Sequence, residues 1–576
     1  MMTRLYCAIL PVAGLMLAAP PVQAVSPQPV EAASGMVVSA QHLATEAGLQ
    51  ILRNGGNAVD AAVATGYAQA VTNPCCANIG GGGFMLIHLA SGREVFVNFR
   101  ETAPAAARPT MYLDPSGAPI PRASVDGYRA VAVPGTVLGL DEALRRYGTL
   151  SRARVMAPAI RLARDGFVLT QADTAILNAA ADRLRRDPEA RRIFFHVDGS
   201  ALRPGERLRQ PQLARTLEII AAGGPDAFYH GEIARQLAAA MRANAGLITQ
   251  ADLAAFTVGE SSPLYCTYRG YRIASAPPPS SGGATLCEIL NVLEGYDLNS
   301  LGYHSAATIH YLAEAMRHAY VDRNTYLGDP AFVRNPLTRL LSTAYAAQIR
   351  SVIDPVRATS SLALAPGAGP HEKPETTHYC VVDATGNAVS VTYTLNGSFG
   401  AGVIAPGTGF LLNDEMDDFT IKPGVPNSFG LVQGEANAIA PGKRPLSSMA
   451  PTIVTRDGRV ALVIGSPGGS RIITSILQVL LNLIDFGMQP QEAVDAPRIH
   501  EQWLPDEVYA EPFALSSDTV QLLQSRGYRI TVQPPWGAVE LIALPRAAAL
   551  RGTTADSLAL EGANDDRRPA GEALGY

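Results

Sequence analysis

A run without periodicity, rich in Pro, Gly and Ala, occupies residues 357–375 and stops at Thr376, where strand-like sequence begins. Residues 377–383 are β-branched and aromatic, 384–387 have turn composition, and 388–395 read as a second strand, which predicts a hairpin. Folded about Thr385, that hairpin sets Thr376 opposite Thr394, so two hydroxyls face each other. A flexible segment leading straight into a threonine that opens a strand is what a self-cutting nucleophile requires. The hydroxyl attacks the preceding carbonyl, that of Glu375, and hydrolysis of the ester frees a new amino terminus. An α-amino group has a pKa of about 8, close enough to neutrality to serve as base for its own hydroxyl. Thr with an N-terminal amine is one of the convergent nucleophile–base pairs. The plainer reading is two threonines present for β-propensity. His378, by alternation on the side of Thr376, reads as a structural strand histidine rather than a second base.

The elements that must hold this hairpin read less sharply. Residues 35–71 are rich in small residues and predict two close-packed helices separated by the Gly55-Gly56 break. Gly80 to Gly83 precede strand-like residues 85–89; four glycines before a strand match no phosphate-binding fingerprint and point to close backbone packing. Successive helices are expected over 136–256, with a capping-box start at Thr249–Asp252, and a further helix pair over 306–320. Residues 276–283, Ala-Pro-Pro-Pro-Ser-Ser-Gly-Gly, read as a loop.

Composition bounds the partners. The 576 residues carry 46 Lys and Arg against 51 Asp and Glu, a net charge of −5 that offers no electrostatic footprint for nucleic acid or an acidic membrane. With 47% hydrophobic and 17% charged residues the chain has material for a large core. Arg4, the apolar run through Leu17, and Ala24 after Pro-Val-Gln have the layout of a secretory signal peptide over residues 1–24, so a periplasmic or secreted protein is expected. Cys7 would leave with it. The other five cysteines, Cys75, Cys76, Cys266, Cys287 and Cys380, are too few and odd in number for a disulfide framework, and read as small buried hydrophobes.

Several motifs, weak singly and specific in this order, resemble the γ-glutamyltranspeptidase family, whose members are also called γ-glutamyltransferases or glutathione hydrolases. They include Gly55 to Ala62, Gly80 to Phe84, Phe99-Arg100-Glu101-Thr102-Ala103-Pro104, Val133 to Thr136 and the loop ending at Gly283. Beyond the linker come Thr376-Thr377-His378-Tyr379, Asn413 to Phe419, Lys443 to Met449 and Gly465 to Arg471. The resemblance implies an α+β fold, the αββα sandwich of N-terminal-nucleophile (Ntn) hydrolases. The precursor would cut itself between Glu375 and Thr376 into a large subunit, 25–375, and a small one, 376–576, which together form one domain. It implies no metal or organic cofactor.

The resemblance also assigns roles. Thr376 is the nucleophile and Thr394 supports its hydroxyl; Gly468 and Gly469 offer N–H groups to the oxyanion. Arg100 binds the substrate α-carboxylate with Ser447 and Ser448, and Asn396, Glu415 and Asp418 receive the α-ammonium, so cation and anions should stand apart. Taken without the resemblance, Gly468-Gly469 is an ordinary tight turn, Arg100 a solvated surface residue and Asp417-Asp418 a loop feature or helix cap. Residues 423–430 resemble the lid loop of bacterial members, with Phe429 where many have tyrosine. Departures are Cys75-Cys76-Ala77-Asn78 and the tail at 562–568. The expected partners are γ-glutamyl compounds such as glutathione and amino-acid or dipeptide acceptors. Two rivals are a cephalosporin or glutaryl acylase on the same scaffold and a non-catalytic periplasmic binding protein.

Overall fold

The computed structural model describes residues 26–364, 376–544 and 560–576. The signal-like stretch, Glu375 and the end of the linker at 365–375 lie outside the described residues. Alternation along the strand Thr377–Val382 sets the layering: Tyr379 and Val381 face a helical layer, while Cys380 and Val382 face a second sheet. The result is two seven-stranded antiparallel sheets stacked between helices. In the first, Thr377–Val382 lies between Met36–Ser39 and Ala388–Thr394, followed by Gly82–His88, Glu94–Asn98 and Gly259–Ser261. In the second, Arg459–Gly465 and Thr452–Arg456 sit between Glu540–Ala543 on one side and Tyr271–Ser275 on the other. Helices His42–Arg53 and Ala58–Thr72 cover the first sheet, and Gly282–Leu293 with Arg471–Ile484 cover the second. Strands from both sides of Thr376 therefore share each sheet, as the αββα expectation requires.

The glycine run is close packing. A Cβ on Gly80 would lie 2.1 Å from the Leu411 carbonyl oxygen, and one on Gly81 would lie 1.9 Å from that of Thr394. Asn57 caps the helix Ala58–Thr72 through a capping box with Asp60, and Thr249 does the same with Asp252.

Three expectations are corrected. Met36–Ser39, read as helix, is a strand, because it completes the sheet beside the hairpin strand Thr377–Val382; tertiary pairing outweighs a four-residue propensity. The supposed pair of helices at 306–320 is one helix, Ala306–Tyr326, since no Gly or Pro interrupts it. The cysteines read as buried hydrophobes include two disulfides, Cys75–Cys76 and Cys266–Cys287, while Cys380 is free and buried. The second joins a strand to the helix packed on it, a proximity that a separation of 21 residues conceals. Among the described residues no helix is long and apolar enough to cross a membrane.

Candidate active site

The hairpin register runs from Thr377 opposite Tyr393 to Val382 opposite Ala388, so Thr376 arrives beside Thr394 as the turn arithmetic requires. The Thr394 hydroxyl lies 3.3 Å from that of Thr376 and donates to it. Its own oxygen accepts from the Asn396 N–H at 2.8 Å, which aims the Thr394 proton at Thr376. Asn396 holds this position with a left-handed φ of 79°, and its amide donates to the Asp414 carbonyl at 3.1 Å. Thr376 is 5% exposed, at the wall of a small, partly open cavity. Arg100, Asn396, Asp418, Ser447, Ser448 and Gly469 share that wall with the two threonines.

Gly468 and Gly469 have φ of 135° and 56°, backbone that side-chain-bearing residues rarely adopt, directly before the helix Arg471–Ile484. N–H groups at a helix N-terminus favour a developing negative charge. Tyr320 anchors this turn by donating to the Ser470 carbonyl.

Arg100 is not the solvated arginine of the plainer reading but fully buried, at the end of the strand Glu94–Asn98. Its guanidinium pairs with Glu415 at 2.6 Å and with Asp418, and donates to the Pro445 carbonyl at 3.2 Å. The expected separation of cation and anions is therefore corrected: in a dry interior, charges this close compensate one another directly. Burial alone would lower the Arg100 pKa, but Glu415, Asp418 and Glu101 more than offset it and raise it. Burial likewise pushes the Glu415 carboxyl well up against the pull of Arg100, and that of Asp418 up to a lesser degree. Glu415 and Gly468 stand behind the wall rather than on it.

Motif residues without a proposed role turn out to position the others. Asn413 donates to the Gly80 carbonyl at 2.8 Å and accepts from Glu415 N–H at 3.1 Å, tying the glycine run to the acidic turn. The proline loop clamps the serines: Ser447 N–H donates to the Pro279 carbonyl at 2.9 Å, and Ser281 donates through both N–H and hydroxyl to the Ser447 carbonyl. Phe429 lies on the cavity wall. Its loop is held where Asn427 Oδ1 accepts the N–H groups of Phe429 and Leu431. His378 is structural, as expected. Its ring bonds Thr392 at 2.8 Å and contacts the Cys380 sulfur at 3.2 Å, and burial lowers its pKa to about 3.

Sequence reasoning missed Arg323, which is buried on the cavity wall. The helix expected over 306–320 stopped three residues short of it. The absence of Gly or Pro from Ala306 to Tyr326 was the available signal.

An αββα sandwich with a strand-opening threonine at a polar cavity defines an Ntn hydrolase. A family model described as gamma-glutamyltranspeptidase matches residues 44–575. The chain is 56% identical to the glutathione hydrolase proenzyme of Pseudomonas sp. (strain A14), over 96% of both chains. It is 48% identical to that of Escherichia coli (strain K12), over 91% of each. A cephalosporin acylase structure from Bacillus halodurans aligns with a TM-score of 0.82 at 30% identity, covering 97% of this chain and 98% of that one. The chain belongs to the γ-glutamyltranspeptidase family.

Proposed function

We propose that this chain is a γ-glutamyltransferase and glutathione hydrolase, made as a precursor that cuts itself between Glu375 and Thr376. The observation that carries the reading is the oriented Thr394–Thr376 hydroxyl pair on a cavity wall that also bears Arg100, Asp418 and Gly469, with Gly468 directly behind it. The freed amine of Thr376 takes the proton of its own hydroxyl, and the oxygen attacks the γ-amide carbonyl of glutathione or a related compound. N–H groups of Gly468 and Gly469 hold the oxyanion; such a donor is worth about 2.7–4 kcal/mol in acyl transfer. The amine leaves, here Cys-Gly, and the γ-glutamyl ester passes to water or to an acceptor amino acid or peptide. Arg100, Ser447 and Ser448 take the α-carboxylate; Asn396 and Asp418 take the α-ammonium, with Glu415 adding negative charge from behind them. No metal or organic cofactor enters these steps. The signal-like residues 1–24 support export to the periplasm or beyond the cell.

The similarity to a cephalosporin acylase favours a second reading, a glutaryl-type acylase. Asp418 on the wall weighs against it, because a glutaryl group brings no ammonium for that carboxylate. The test is intact mass and N-terminal sequencing of the purified protein, with turnover of γ-glutamyl and glutaryl anilides. The expected result is two fragments, the smaller beginning at Thr376, with γ-glutamyl preferred. Thr376→Ala should stay in one piece and be inactive. An active, uncut chain, or a preference for glutaryl, would overturn the proposal.

A further inference from the structure

The cavity holds two buried arginines in opposite electrostatic situations. Arg100 reaches it with its charge already answered by Glu415 and Asp418. Arg323, on the helix Ala306–Tyr326 and 1% exposed, donates only to neutral oxygens: Ser281 Oγ at 3.1 Å, Asn324 Oδ1 at 2.8 Å, Gln433 Oε1 at 2.9 Å and Ser448 Oγ at 3.1 Å. Among the described residues no carboxylate is paired with it, and Asp418 acts on it only from a distance. Burial accordingly lowers its pKa, to about 10. A buried cation without a counter-ion is costly unless a ligand supplies one.

Hydrogen-bond polarity says which ligand. A guanidinium has no acceptor, so Ser448 Oγ must accept from Arg323 and turn its own proton elsewhere. Ser447 Oγ likewise accepts, from Met449 N–H at 3.0 Å. Both serines line the cavity, leaving two hydroxyl protons to donate to an incoming anion. Gln433 extends the arrangement: while accepting from Arg323 it donates to the Asp418 carbonyl at 3.1 Å, so one guanidinium fixes the spacing between Ser448 and the segment bearing Asp418.

We infer that Arg323 is the positioning residue that sets the carboxylate pole of the donor site: it supplies the uncompensated positive charge and orients the Ser448 hydroxyl toward the α-carboxylate. Arg100, whose charge Glu415 and Asp418 already share, remains a direct partner of the same carboxylate. This rests on the γ-glutamyl reading above and adds a residue to it.

The test compares γ-glutamyl p-nitroanilide with 4-aminobutyryl p-nitroanilide, the same donor without its carboxylate, in wild type, Arg323→Gln and Arg323→Lys. For γ-glutamyl anilide, Arg323→Gln should raise KM about 10- to 100-fold with kcat little changed, the size of a lost hydrogen bond to a charged group. Arg323→Lys should recover part of that loss. The 4-aminobutyryl donor should lose no more than about threefold in kcat/KM, so the preference between donors shrinks. Equal losses on both donors, or a fall in kcat at unchanged KM, would overturn the inference. If Arg323→Gln is recovered uncut, the same comparison in Arg323→Lys decides by the same criteria. A wild type that ignores γ-glutamyl anilide would instead sink the functional reading, which keeps the two failures distinct.

Discussion

Arg100 and His378 show how burial redirects the meaning of a side chain. Arg100 has lost its water and pairs with Glu415 and Asp418, so its fork, not merely its charge, is in use. Arg100→Lys should still yield the two fragments, while kcat/KM for γ-glutamyl anilide falls by about 10- to 100-fold. Normal kinetics would remove Arg100 from the site. His378 is held neutral, with its pKa lowered to about 3 by burial against about 6.5 when unfolded. Between those values the unfolded chain binds the extra proton, so this residue's contribution is whole above pH 6.5 and is lost as pH falls toward 3. Each pH unit in that window is worth up to about 1.4 kcal/mol. Urea titrations from pH 7 to pH 4 should therefore show a steeper loss in wild type than in His378→Gln; parallel curves would refute this.

At the scale of elements, the site depends on how closely strands and loops approach. The glycine run was legible as close packing, and so was the hairpin, because strand alternation and a turn are local properties. What the run packs against was not, since Leu411 and Thr394 are distant in the chain. Gly81→Ala would drive a methyl into the Thr394 carbonyl and so displace the residue that orients Thr376. The expected cost is about 1–3 kcal/mol, the range for forced overpacking. Chemical denaturation should show it together with reduced anilide turnover, and an unaltered variant would mean the strand yields freely. The helix Ala306–Tyr326 was misread for the complementary reason: its buried face carries Arg317 and Arg323, so hydrophobic periodicity does not trace its length.

At the scale of the whole molecule, both sheets contain strands from before and from after Thr376, so cutting the chain there separates no layer from another. The disulfide Cys266–Cys287 adds a constraint across the second sheet and its helix. Replacing both cysteines by alanine should lower stability by about 3 kcal/mol, the entropic value for a loop of this length. The urea midpoint of the double variant should match that of reduced wild type; no change in midpoint would remove the constraint. By itself the sequence determined the hairpin that begins beside Thr376, its register and, through ordered motifs, the family, because turn chemistry and strand alternation act over a few residues. Only the tertiary structure decided which charges meet. The pairing of Arg100 with both acids, the lack of a carboxylate paired with Arg323 among the described residues and the Cys266–Cys287 bridge depend on burial and on contacts between segments apart in the chain; for the charges the low dielectric, not local propensity, sets the energy.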